Sequence, residues 1–315
     1  MATKKPAASK KAAAPKNAVK ATKPAVAAKA KPTTMAKAMV KAIKKVAAHA
    51  KPAAPVAAKA KPHRTGAKLV RTFSWRPDVP DHRDRVYTVK KLKAGLPAVV
   101  DRIGFDNVIE DQGNLGSCTG NSSTSMLEIK LGMTQALSRL MAYYNGRVID
   151  GTVGTDDGAQ IRSVIKGLTK TGTSVETLWP YDVKKFALKP SNAAFNQAKT
   201  GLLAEIAKRK LGYYRVLTLD ALLNSLANGN TVTFGFSVPA SFENLPASAL
   251  LALPKKNEVI LGGHAVVAVG YDLKKKFVWV RNSWGANWGI NGYFKMPFAW
   301  FNDPRRLVDD MWTIQ

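Results

Sequence analysis

Apolar and polar positions alternate in two distinct ways along this chain, and one long stretch shows neither. From Ala159 to Leu168, and again from Asn192 to Arg209, apolar residues recur at helical spacing, which predicts two helices. Cys118 to about Leu131 is rich in small residues and ends at Gly132, a plausible left-handed stop, so a third helix is expected to begin at the cysteine. Thr231 to Val238 alternates or runs apolar as a strand does. Ala265 to Val269 is apolar throughout and ends in Gly270-Tyr271, which predicts a buried strand, followed after the polar turn Asp272–Lys276 by a second strand at Phe277–Val280. That is the longest apolar run, far short of the roughly 20 residues that span a bilayer. Before Arg71 the only periodic segment is Thr34–Ala50, where Met35, Met39, Ile43 and Val46 predict a short basic amphipathic helix.

Composition separates the two regions. The chain has 315 residues, 46% hydrophobic, with 49 Lys+Arg against 21 Asp+Glu and a net charge of +28. Residues 1–70 hold 18 of the basic residues, 24 alanines and seven prolines, and the first acid is Asp78. Such a segment cannot bury enough apolar surface to offset the entropy of ordering its backbone, so 1–70 is expected to be a disordered tail. An acid-free polycation attracts polyanions, nucleic acid first, through counterion release. Its composition resembles the Lys/Ala/Pro arms of linker histones without sharing a motif. A solubilising or targeting arm is the plainer reading. Residues 71–95, with Pro77 and Pro80, read as an extended strap, and the folded body follows from 96. Nothing at the start resembles a secretory signal. The single cysteine excludes a disulfide scaffold and a thiolate metal cluster, and suits a reducing compartment, cytoplasm or nucleus, or a virion.

Candidate chemistry centres on that cysteine. Cys118 stands where a helix begins, and the free N–H groups and dipole there favour a thiolate. Read alone, a cysteine beside glycines fits a small core residue equally well, and a base is needed to change the odds. Of four histidines, His49, His63 and His82 fall in the tail or strap, which leaves His264 at the start of the apolar strand. If the following hairpin turns at 273, Asn282 lies opposite His264; a turn one residue later makes them diagonal neighbours.

These pieces resemble the papain-like cysteine peptidase family. Gln112, the Gly116-Ser117-Cys118 turn, Gly263-His264-Ala265 and Asn282-Ser283-Trp284-Gly285 stand in that family's order, as do Tyr143-Tyr144-Asn145, Trp179-Pro180-Tyr181-Asp182 and Trp288 to Phe294. The resemblance covers about 96–315. It implies an α+β fold of two lobes, a helical one over about 103–212 with Cys118 and a β-barrel-like one over about 213–315 with His264 and Asn282, the cleft lying between. It also implies a protein or peptide substrate and no metal or cofactor, in a monomer. The implied roles are Cys118 as nucleophile, His264 as base and Asn282 as the orienting amide. Trp284 shields their hydrogen bond and borders the substrate, and Gln112 with the Cys118 N–H forms the oxyanion hole. The resting pair is expected to be thiolate and imidazolium. Gly158, Ala159 and Gln160 from one lobe, and Gly262 and Gly263 from the other, are expected to line the cleft.

Departures matter too. Thr119 replaces an aromatic residue, as in a subgroup known mainly from microbes and large DNA viruses. Leu115 and Ser174 stand where secreted members carry cysteines, and Asp157-Gly158 replaces a Gly-Gly pair. The family's helical inhibitory pro-segment is not recognisable in 1–95, which leaves open how activity is restrained. The competing readings are a catalytically silent papain-fold protein that binds nucleic acid or serves structurally, and an acyl transferase or aminopeptidase using the same thiol.

Overall fold

A computed structural model describes residues 71–90, 92, 94–104 and 108–315. The basic tail and the helix expected at 34–50 lie outside the described residues.

The first lobe is helical. Helices α1 (Cys118–Leu131), α2 (Arg139–Asp150) and α3 (Ile161–Lys170) pack together, followed by α4 (Asn192–Ala198), a π-helical turn over Lys199–Leu203 and α5 (Ala204–Lys208). The continuous helix expected from 192 to 209 is thus interrupted at its centre, where Gly201 weakens helical continuity. Helix α1 starts and stops as its sequence predicts, with Gly132 at φ 64° closing it. Its small residues serve packing, since a Cβ on Gly120 would fall 2.7 Å from the Arg139 carbonyl oxygen of α2.

The second lobe is a large antiparallel sheet. Short strands β1 (Trp75–Arg76), β2 (Val99–Val100) and β3 (Ala159–Gln160) precede β4 (Tyr213–Val216), α6 (Leu219–Ala227), β5 (Val232–Pro239), β6 (Ile260–Asp272), β7 (Phe277–Arg281), β8 (Tyr293–Pro297) and β9 (Val308–Ile314). The seven-stranded sheet runs β4-β9-β5-β6-β7-β8, with β2 added along β6. Strand β6 explains its own unbroken apolar run. Ala265, Val267 and Val269 join the core beneath the helices, whereas Val266 and Ala268 join the aromatic core of the sheet lobe around Phe234, Phe236 and Trp300. A strand buried on both faces has no polar side to show. His264 shares the aromatic side, with Phe236 at 5.9 Å and Trp284 at 5.0 Å between ring centres. No helix among the described residues is long and apolar enough to cross a membrane.

Candidate active site

Cys118 is the first residue of α1 and is completely buried. The turn before it is fixed by side chains rather than by a covalent staple. Asp156 accepts the Gly116 N–H at 2.9 Å and the Tyr143 hydroxyl at 2.6 Å. The Ser117 hydroxyl meets that of Tyr181 at 2.5 Å, and Tyr181 donates to the Gln112 carbonyl at 2.9 Å. Gln112 itself is buried. Its side-chain oxygen accepts from Ser283 at 2.7 Å and its amide nitrogen donates to the Leu115 carbonyl at 3.1 Å, which leaves one amide hydrogen for another acceptor.

His264 and Asn282 come together as the sequence suggested, by the second of the two registers. Val267 pairs with Arg281, so the hairpin turns one position later than direct opposition requires, and the two are diagonal. His264 Nε2 still lies 2.7 Å from Asn282 Oδ1. Nδ1 is buried without a hydrogen-bond partner among the described residues. Trp284 lies over the imidazole at an interplanar angle of 30°, as a shield against water. A bridge between Asp111 and Trp284, with the Gln112 N–H donating to the Ser283 carbonyl, joins the Asp111–Gln112 loop of one lobe to the histidine side of the other.

The strap is where the sequence reading fell short. Residues 71–95 do more than link, because Arg71 to Arg76 lie in the cleft. Trp75 pairs with Ala159 and Arg76 with Gln160 in parallel, while Ser74 bridges Gly263 on the other lobe. Gly158, at φ 77°, accommodates the Ser74 carbonyl so closely that a Cβ would sit 1.6 Å from its oxygen, and a Cβ on Gly262 would meet Phe73 at 2.7 Å. The Arg71 guanidinium stacks 4.2 Å above Trp284. Every residue expected to line the cleft therefore touches the strap. A signal was present in the sequence: Phe73 and Trp75, two aromatics in an extended run, need somewhere to be buried.

Burial disfavours the charged form of both Cys118 and His264. Burial pushes the Cys118 thiol up to about 11, against backbone N–H groups of Ala265, Thr119 and Ser74 that donate to the sulphur. Burial likewise pushes His264 down to about 4, opposed by its bond to Asn282 and reinforced by the positive charge of Arg71. With the strap seated, thiol and imidazole are both favoured neutral, not as the thiolate and imidazolium expected from the sequence.

Comparison with known proteins identifies the family. The profile described as papain family cysteine protease matches residues 101–300. An uncharacterized peptidase C1-like protein of Acanthamoeba polyphaga mimivirus is 35% identical over 260 residues, covering 79% of this chain and 80% of its own. A cathepsin B-like protein of Giardia intestinalis is 28% identical, covering 73% of each. The crystal structure of xylellain, a cysteine protease from Xylella fastidiosa, superposes with a TM-score of 0.68 at 35% identity, covering 80% of this chain and 99% of that one. On its matched profile, its relatives and its two-lobed fold, the chain belongs to the papain family of cysteine proteases.

Proposed function

We propose that this peptidase is an endopeptidase working through Cys118, His264, Asn282 and Gln112, and that the strap must leave the cleft before it acts. The observation that carries the reading is the buried His264 ring, held at Nε2 by Asn282 while Nδ1 is left without a partner, on a strand whose next residue, Ala265, turns its N–H to the Cys118 sulphur. Once the strap departs, water re-enters and the imidazole takes the thiol proton at Nδ1, giving the charged pair. The sulphur attacks the substrate carbonyl carbon, and the resulting oxyanion takes hydrogen bonds from the Gln112 amide and the Cys118 N–H. His264 passes its proton to the departing amine as the C–N bond breaks. The same ring then removes a proton from water, which attacks the thioester and restores the thiol.

The test compares casein hydrolysis by a Trp75→Ala variant with that by Trp75→Ala/Cys118→Ala. The strap is weakened in both, so equal and negligible cleavage removes the enzyme reading. The body is read as a monomer on the family resemblance, and as a protein of a reducing compartment or a virion on its single thiol. The tail is assigned to nucleic-acid contact on its charge alone, and a gel shift with and without residues 1–70 across a salt series tests it. Binding that ignores salt or the tail refutes that role.

A further inference from the structure

The strap is also fastened away from the thiol, and there the charges do not balance. Val86 bridges Arg215 of β4, and backbone hydrogen bonds run from Tyr87 N–H to the Arg215 carbonyl and from Arg215 N–H to the Arg85 carbonyl. Between this part of the strap and α3 lies a recess of about 210 Å³. Arg162, Lys166 and Lys170 wall it from the body, and at intervals of four they form one stripe along α3. Arg83 and Arg85 wall it from the strap.

Two of these cations are neutralised where they stand. Arg83 lies 2.7 Å from Asp81, and Arg162 lies 3.0 Å from Asp84. Arg85, Lys166 and Lys170 have no ion pair among the described residues. Arg85 is nevertheless held in place. Its guanidinium lies 4.8 Å from the ring centre of Tyr214 and 5.9 Å from that of Tyr213. The backbone makes room for it at Gly212, where a Cβ would fall 2.7 Å from the guanidinium nitrogen Nη2. A positioned cation on the strap thus shares a small recess with two unpaired cations on the body, and like charges in such a space repel. An anion with several oxygens would replace that repulsion with charge-assisted hydrogen bonds to both walls.

We propose that the recess between strap and α3 binds a phosphate-type anion, free or in a nucleic-acid backbone, and that the bound anion keeps the strap docked over Cys118. Part of the site belongs to the strap, so the complete site exists only when the strap is seated. A ligand that binds one state alone stabilises that state by mass action. The inference rests on the reading that the strap covers the thiol, and the experiment separates the two.

Cys118 is the sole thiol of the chain, so intact-mass measurement of iodoacetamide labelling on the full-length protein reports strap opening directly. Chloride is exchanged at constant ionic strength for pyrophosphate, or for a short oligonucleotide. At ten times the dissociation constant of the anion, labelling should slow about tenfold. The slowing should vanish in Lys166→Gln/Lys170→Gln, although the basic tail still binds anions there. Slowing by pyrophosphate identifies a free anion as sufficient; slowing by the oligonucleotide alone identifies the polymer backbone. Unchanged or faster labelling with both anions, or slowing that persists in the double variant, overturns the proposal. Trp75→Ala in chloride is the control: if it labels no faster than wild type, the strap reading itself fails, with no anion involved.

Discussion

Oδ1 of Asn282 holds Nε2 of His264 at 2.7 Å, on a ring whose other nitrogen is buried and unpartnered. The amide therefore sets which nitrogen is left free. The two residues are diagonal across the β6–β7 hairpin, and the ring is held by this bond and by its packing against Trp284, Phe236 and Phe242.

Asn282→Ala should lower kcat on the order of 10²–10⁴-fold by releasing the imidazole from its working tautomer and orientation. Gln112→Ala should lower kcat by about 10²–10³-fold through the loss of one oxyanion donor. In both cases KM should change little. Steady-state kinetics in a Trp75→Ala background provide the check, and a change confined to KM would contradict both roles.

The strap supplies the second prediction. Gly235 lies in β5, and a Cβ there would fall 2.0 Å from Cε2 of the Trp75 indole, so the close approach of the ring leaves no room for a side chain. The indole N–H is also buried without an acceptor among the described residues, which weakens its hold. Gly235→Ala should expel the indole while leaving the strand intact, and Trp75→Ala should remove it. Losing the packing of a half-buried aromatic is worth about 1.5 kcal/mol or more, so iodoacetamide should label Cys118 about tenfold faster in either variant. Labelling at the wild-type rate in both would mean that the strap does not guard the sulphur.

Cys118 at a helix start and the pairing of His264 with Asn282 were legible because each sits in a short local pattern. Gly132 marked the end of α1, the apolar run marked β6, and one polar turn fixed the hairpin to within a single position. The strap was not legible in the same way. Its docking joins Trp75 to Ala159 and Asp78 to Asp310, and contacts that distant in sequence leave no periodicity to read. Aromatic residues in an extended segment showed that something must be covered, but not which surface. The π turn at Lys199–Leu203 escaped for another reason: helical spacing on either side is compatible with both an intact and an interrupted helix.

A third prediction concerns pH. Asp78 of the strap is buried against Asp310, with Trp312 Nε1 donating to it at 2.7 Å and the Arg162 N–H at 3.2 Å, while the Arg215 guanidinium lies 4.0 Å away as an ion-pair partner. Arg215 is shared with Asp84, Asp309 and Asp310. Burial, and then the neighbouring Asp310, push Asp78 up to about 7. A carboxyl raised on docking stabilises the docked strap fully below its free value, about pH 4, and that contribution is lost as pH rises through about 7. The ratio of Cys118 labelling in wild type to that in Asp78→Asn should therefore climb between pH 5 and 8, since the intrinsic titration of the thiol cancels in the ratio. A flat ratio would remove Asp78 as the sensitive group.

The turn before Cys118 gives the last prediction. Leu115 stands where secreted relatives are expected to carry a cysteine, and the neighbouring Gly116 N–H is held instead by Asp156, whose carboxylate also accepts from the buried Tyr143. Hydrogen bonds to a carboxylate are stronger than neutral ones, so they can fix a turn without a covalent link. Asp156→Asn keeps one acceptor oxygen but sets an amide N–H where either Gly116 or Tyr143 must donate. It should loosen the turn and lower kcat, with the labelling rate of Cys118 changing as the sulphur shifts from the helix start. Reductant should leave the melting temperature of the wild type unchanged, because no disulfide is there to be cut. If Asp156→Asn retained full kcat in the Trp75→Ala background, the turn would have to be held by Tyr181 and Gln112 alone.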